Sequence, residues 1–82
     1  AAEQGDANAQ FNLGVSYGKG EGVEQHFISS YLWLNIATSN GYEDAKKIKG
    51  VLAEDMTPAQ IAKAEELVKE MVKKNPKLLK KQ

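Results

Sequence analysis

The chain of 82 residues contains no cysteine, no arginine, a single histidine and only two prolines. Without cysteine there is no disulfide staple and no thiolate zinc site. Without arginine the planar fork that reads guanine or phosphate bidentately is missing, which argues against nucleic acid as a partner. No apolar run approaches the length needed to span a bilayer or to serve as a secretory hydrophobic region, so membrane insertion is not expected. Aromatic residues make up 7% of the chain. A domain of this size buries about 60% of the surface its unfolded chain exposes, which leaves no room for a deep cleft walled by two domains. Strand signals are absent too: no stretch alternates apolar and polar residues between turn-forming clusters. What remains is one small all-α body that works through its surface.

The charges that are present sum to zero but are unevenly placed. Residues 1–41 carry Lys19 against Glu3, Asp6, Glu21 and Glu24, whereas residues 42–82 carry ten lysines against seven acids. Five lysines, at positions 73, 74, 77, 80 and 81, fall in the last ten residues with no acid among them. This pattern predicts a solvated, disordered tail over residues 77–82.

The chain repeats itself at an interval of 36 residues. Gly5 falls on Gly41, Ala9 on Ala45 and Gly14 on Gly50, with Ala1 on Ala37 just ahead. Small residues recurring at one period mark places where helix backbones approach closely, so the repeating unit reads as a pair of helices.

Four helices follow from the apolar spacing. Ala9, Leu13 and Tyr17 make a stripe over residues 7–17, with Asp6 as cap and Gly18 as stop. The glycine-rich run 18–22 makes a turn that Val23 would pin to the core. Phe27, Ser30, Trp33, Leu34 and Ala37 define a second helix from about residue 26 to 40, closed by Gly41 in the left-handed region. Ala45, Ile48 and Leu52 predict the buried face of a third helix over 43–53. Lys49 stands where the counterpart Leu13 would ask for an apolar residue, so this helix is either rotated or turned to water. Thr57-Pro58-Ala59-Gln60 is a capping box opening a fourth helix, whose stripe is Ile61, Ala64, Leu67, Val68, Met71 and Val72 and which stops at Asn75-Pro76.

Motifs that carry chemistry elsewhere have blander explanations here. Gly14-Val15-Ser16-Tyr17-Gly18 spells G-x-S-x-G, but no strand precedes it to strain the serine outward, and helix packing explains the glycines. Gly18, Gly20 and Gly22 lack the G-K-[ST] of a phosphate loop. The pairs Glu43-Asp44, Glu54-Asp55 and Glu65-Glu66 are sequence neighbours that diverge by about 100° on a helix and cannot readily share a proton or a metal. His26 reads as a surface histidine at a helix start, and Trp33 as a core anchor. No catalytic residue, metal ligand or cofactor is expected.

Residues 1–41 resemble the Sel-1-like repeat, a bacterial and eukaryotic cousin of the tetratricopeptide repeat. The resemblance rests on Ala1-Ala2, Gly5, Ala9-Gln10, Leu13-Gly14, Tyr17, Gly20, Gly22-Val23, Trp33, Ala37 and Gly41 in order and spacing. His26 and Ser30 stand where that family usually has Asp and Ala, which implies a weaker cap and a slightly polar packing face for helix two. Residues 42–76 look like the degenerate helix pair that caps such arrays at the C-terminus. The resemblance implies αα-hairpin repeats stacked as a short right-handed solenoid of about two repeats, with residues 1–5 as the last turn of a preceding helix. A chain that starts inside an array would leave apolar surface on helix one exposed at the open N-terminal end, which invites self-association.

The same resemblance implies a protein-interaction scaffold or adaptor without catalysis of its own, binding a protein partner on a concave face. The face carries over as Asn8, Phe11, Val15 and Lys19 in the first unit and as Asp44, Lys47, Val51 and Glu54 in the second. Phe11 and Val15 are the informative positions, being either groove contacts or packing for a missing repeat. The alternative role is that of a non-catalytic accessory domain in a larger bacterial enzyme or an envelope or signalling protein. The absence of cysteine fits cytosol and bacterial periplasm alike, so the compartment stays open.

Overall fold

Local chain chemistry sets the helix limits. The Asp6 carboxylate accepts hydrogen bonds from the backbone N–H groups of Asn8 and Ala9, at 3.0 and 3.2 Å, and so starts α1 (Ala7–Gly18). The Thr57 hydroxyl and the Gln60 side chain exchange bonds with each other's backbone N–H, starting α4 (Pro58–Lys74) with Pro58 in its first turn. Between them lie α2 (Glu24–Ser39) and α3 (Glu43–Ala53). At the end of α2, Gly41 has φ +93° and donates to the Thr38 carbonyl, and Tyr42 N–H donates to the Ala37 carbonyl. This pair of bonds is a Schellman closure, the turn for which glycine was expected. Single 3-10 turns stand at Ala2–Gln4 and Pro76–Leu78.

The computed structural model describes residues 2–19 and 24–79. The expected turn lies outside the described residues at 20–23, Val23 included, as does the tail at 80–82. The all-α class holds for every described element, and among the described residues no helix is long and apolar enough to cross a membrane.

The second helix is the hub: α1, α3 and α4 all pack against it. Tyr31, Leu32, Trp33, Leu34, Ile36 and Ala37 are all buried, which lets one helix serve three neighbours. On one side Trp33 and its neighbours meet the predicted stripe of α4, with Ala64 fully buried and Met56 beneath it. On another, Leu34, Ala37 and Ala45 join Phe11, Val15 and Tyr42. The second unit does not close as a tight helix pair like the first, because α3 and α4 each face α2 more than each other.

Two polar side chains are buried in this frame and both hold helices together. The Ser30 hydroxyl donates to the Gly14 carbonyl at 2.7 Å, so the residue expected to make the packing face slightly polar supplies an interhelical bond. Gln10, fully buried, donates through Nε2 to the carbonyls of Ala2 and Leu78 at 2.9 and 3.0 Å and accepts from Asn40 Nδ2 at 2.8 Å. Asn40 Nδ2 also donates to the Leu78 carbonyl at 2.8 Å. These bonds draw the C-terminal 3-10 turn onto the N-terminal one.

Three expectations are corrected here. The disordered tail cannot begin at residue 77, because Lys77 and Leu78 lie in the C-terminal 3-10 turn and Leu78 is buried against Ala2 and Trp33's cluster. The exposed apolar surface does not lie on helix one at the N-terminal end. That end is covered by the C-terminal turn, and the large hydrophobics exposed among the described residues are Ile48 and Val51 of α3, at 41% and 62%. The predicted face of α3 holds at Ala45 and Leu52 but not at Ile48, which is exposed, while Lys49 is half-buried, as in the rotated of the two arrangements its position allowed. Its Nζ donates to Asn35 Oδ1 at 3.2 Å and sits 5.6 Å from the centre of the Tyr31 ring. Burial, with the negative Glu65 as a lesser cause, pushes the Tyr31 phenol above its ordinary range.

The glycines at the 36-residue interval divide in the structure. A Cβ on Gly14 would stand 2.9 Å from Leu34 Cγ and 3.2 Å from the Ser30 carbonyl oxygen, whereas one on Gly50 would meet nothing within 4 Å. Gly14→Ala should therefore destabilise the fold by about 1–2 kcal/mol net, and Gly50→Ala should stabilise it by about 0.5–1 kcal/mol through helix propensity alone. Thermal unfolding followed by circular dichroism checks the opposite signs, at about 4–8 °C per kcal/mol for a chain of this size.

Candidate functional site

The residues expected on a concave face fall into two groups. Asn8 and Phe11 are engaged with the start of the second unit: the Phe11 and Tyr42 rings stack with centroids 4.7 Å apart at 28°, and the Tyr42 hydroxyl donates to Asn8 Oδ1 at 3.3 Å. Phe11 and Val15 are half-buried in the cluster of Leu34, Ala37 and Ala45. Both side chains thus pack within this chain, among residues of α2 and α3, and Val15 also borders an open depression.

The second group lines open depressions on the two sides of α3. Val15 and Lys19 of α1, Phe27 and Ser30 of α2, and Ile48, Val51, Leu52 and Asp55 of α3 surround a shallow cavity of about 260 Å³. Its walls are apolar, with Lys19 and Asp55 as charged residues among the lining. A longer groove of about 930 Å³ runs along the opposite flank of α3 and is lined by Thr38, Tyr42, Glu43, Lys46, Lys47, Gly50, Val51 and Glu54 with Gly41. Val51 lines both, so it forms the ridge between them. Asp44 is exposed and lines neither.

Lys47, Val51 and Glu54 line one groove together, and Val15 and Lys19 share the other depression with Val51. Sequence reasoning missed Ile48, which it assigned to the core, and Gly50, Tyr42 and Thr38 as groove residues. The signal for Gly50 was present in its pairing with Gly14. What hid its role is that the repeat suggested a helix packed on it, and no element packs there.

Chemistry-bearing motifs resolve into structure. Residues 14–18 are one continuous stretch of α1, with Gly14 and Gly18 facing α2 and Ser16 exposed. Glu43, Asp44, Glu54, Asp55, Glu65 and Glu66 are all exposed. His26 is not the surface residue expected: it is half-buried, its ring 6.3 Å from that of Tyr17 at 29°, with Nδ1 buried and without a hydrogen-bond partner among the described residues. Among the described residues no three His, Asp or Glu side chains gather as a metal site would require.

Comparison with protein-family models, with curated proteins and with solved structures finds no match to the chain.

The two groups predict different responses to substitution. Phe11→Ser removes a stacked, half-buried ring and should cost about 2 kcal/mol of stability, while Val51→Ser should leave stability within about 0.5 kcal/mol. Urea unfolding of the two variants beside the parent chain checks this, since Val51 carries no core contact in the fold.

Proposed function

We propose that the chain is a protein-interaction module of the Sel-1-like, tetratricopeptide-like kind, one that binds a protein partner along α3 and performs no chemistry itself. The observation that carries this reading is the exposure of Ile48 and Val51, 41% and 62%, on a helix whose other exposed residues, Gly50 apart, are charged. Large apolar side chains left in water between two depressions are the usual mark of a surface that is covered in use. The Ala-Gly repeat at 36 residues and the family-like spacing of residues 1–41 support the helical-repeat part of the proposal. A short stack of helix pairs offers just such a lateral surface, and its function lies in the residues it presents.

The test is affinity capture from the source cell with the parent chain, with Ile48→Asp/Val51→Asp, and with Lys69→Ala on α4 as a control away from α3. Circular dichroism establishes that each variant is folded. A partner held by the parent and by the Lys69 variant, and lost with the α3 variant, is the expected outcome. Partners captured equally by all three would contradict the proposal.

A further inference from the structure

The 36-residue repeat pairs the strip along α3 with a strip of α1 whose occupant is visible. Gln10, Phe11, Gly14, Val15 and Gly18 correspond to Lys46, Lys47, Gly50, Val51 and Glu54. The correspondence is conformational as well: the glycines that precede the two helices, Gly5 and Gly41, have φ of +89° and +93°, and the next shared small residues, Ala9 and Ala45, both pack in hydrophobic clusters.

In the first unit this strip carries α2. Leu34 lies directly over Gly14, whose missing Cβ makes room for it, and Ser30, one turn earlier, bonds the Gly14 carbonyl. Phe11 and Val15 pack against the cluster that contains this leucine. In the second unit the strip is open. Gly50 meets nothing within 4 Å, and the groove of about 930 Å³ runs past it. The helix that follows in the chain, α4, is engaged with α2 and does not cover it. Tyr42, which lines the groove, stacks on Phe11, and the Phe11 ring packs against the Leu34 cluster, so the groove borders the α1–α2 packing.

We propose that this groove is the docking site for an amphipathic helix of another protein, seated on α3 as α2 sits on α1, with a leucine over Gly50 and a small residue one turn before it. Charge narrows the partner further. At the matching positions Lys46 and Lys47 replace Gln10 and Phe11 while Glu54 replaces Gly18, and Glu43 lines the groove as well, so the partner helix carries carboxylates facing the two ammonium groups and a lysine or arginine facing Glu54. Knob-and-glycine packing of this sort requires close backbone approach, which any larger residue at position 50 would prevent. The inference rests on the reading of the chain as an interaction module and names the class of partner.

The experiment titrates the full chain into a labelled, stapled helical peptide of about four turns that carries Ser and Leu four residues apart, glutamates placed toward Lys46 and Lys47, and a lysine placed toward Glu54. Anisotropy should show saturable binding, weakened at least about tenfold by Gly50→Leu, with no fall in Tm because the new side chain meets open space. Absence of saturable binding, or binding indifferent to Gly50→Leu, overturns the proposal. A captured partner that is lost with Ile48→Asp/Val51→Asp yet indifferent to Gly50→Leu keeps the interaction module and removes this helix. A dimer of the parent chain that Gly50→Leu dissociates gives the groove to a second copy and likewise overturns a foreign helix.

Discussion

A single buried glutamine joins the two ends of this chain. Gln10 has no exposure, and its amide spends both donors on backbone carbonyls, Ala2 near one end and Leu78 near the other, while its oxygen accepts from Asn40. Asn40 in turn donates to Leu78, closing a ring of three bonds among residues far apart in sequence. Buried polar groups of this kind are worth little when paired and cost much when orphaned, so the ring acts chiefly as a specificity device. It admits one placement of the C-terminal turn. Leu78, buried beside Ala2, supplies apolar burial at the same place.

The path of α4 follows from that tether. A chain leaving α3 at Ala53 could fold back along α3 and complete a second tight helix pair. Instead the capping box at Thr57 starts a helix that runs along α2 and delivers Asn75–Leu78 to Gln10 and Asn40. The apolar stripe of α4 is satisfied by Trp33 and its neighbours, and the flank of α3 that its sequence counterpart α1 gives to α2 stays free. The open groove is therefore a consequence of how the chain ends are held, and Gly14 and Gly50, equivalent in sequence, differ in everything a side chain would meet.

Much of the fold was legible because its signals are local. Asp6, the Thr57–Gln60 box and Gly41 act within a few residues of themselves, and each does what its neighbours in sequence demand. The face of α3 was not legible. Ala45, Ile48 and Leu52 fit a helical period, but Lys49 can lay its long aliphatic stem inward and end on Asn35 and Tyr31, so burial was decided by α2 and not by spacing. The C-terminal lysines concealed Leu78 for a related reason: a charge run reads as solvated, and only the position of Gln10 shows why one leucine within it is buried. Of the candidate residues, Lys47, Val51 and Glu54, carried over from the repeat, line one groove, whereas Phe11 and Asn8 hold Tyr42 by a ring stack and a hydrogen bond.

Stability of Gln10→Leu tests the central role of this ring most directly, because leucine fills a similar volume while removing three hydrogen bonds, two of them buried. The account predicts a loss of about 2–4 kcal/mol in urea unfolding monitored by Trp33 fluorescence, with the C-terminal turn losing its hydrogen-exchange protection before the helices do. A loss under about 0.5 kcal/mol, with protection of Leu78 unchanged, would contradict it.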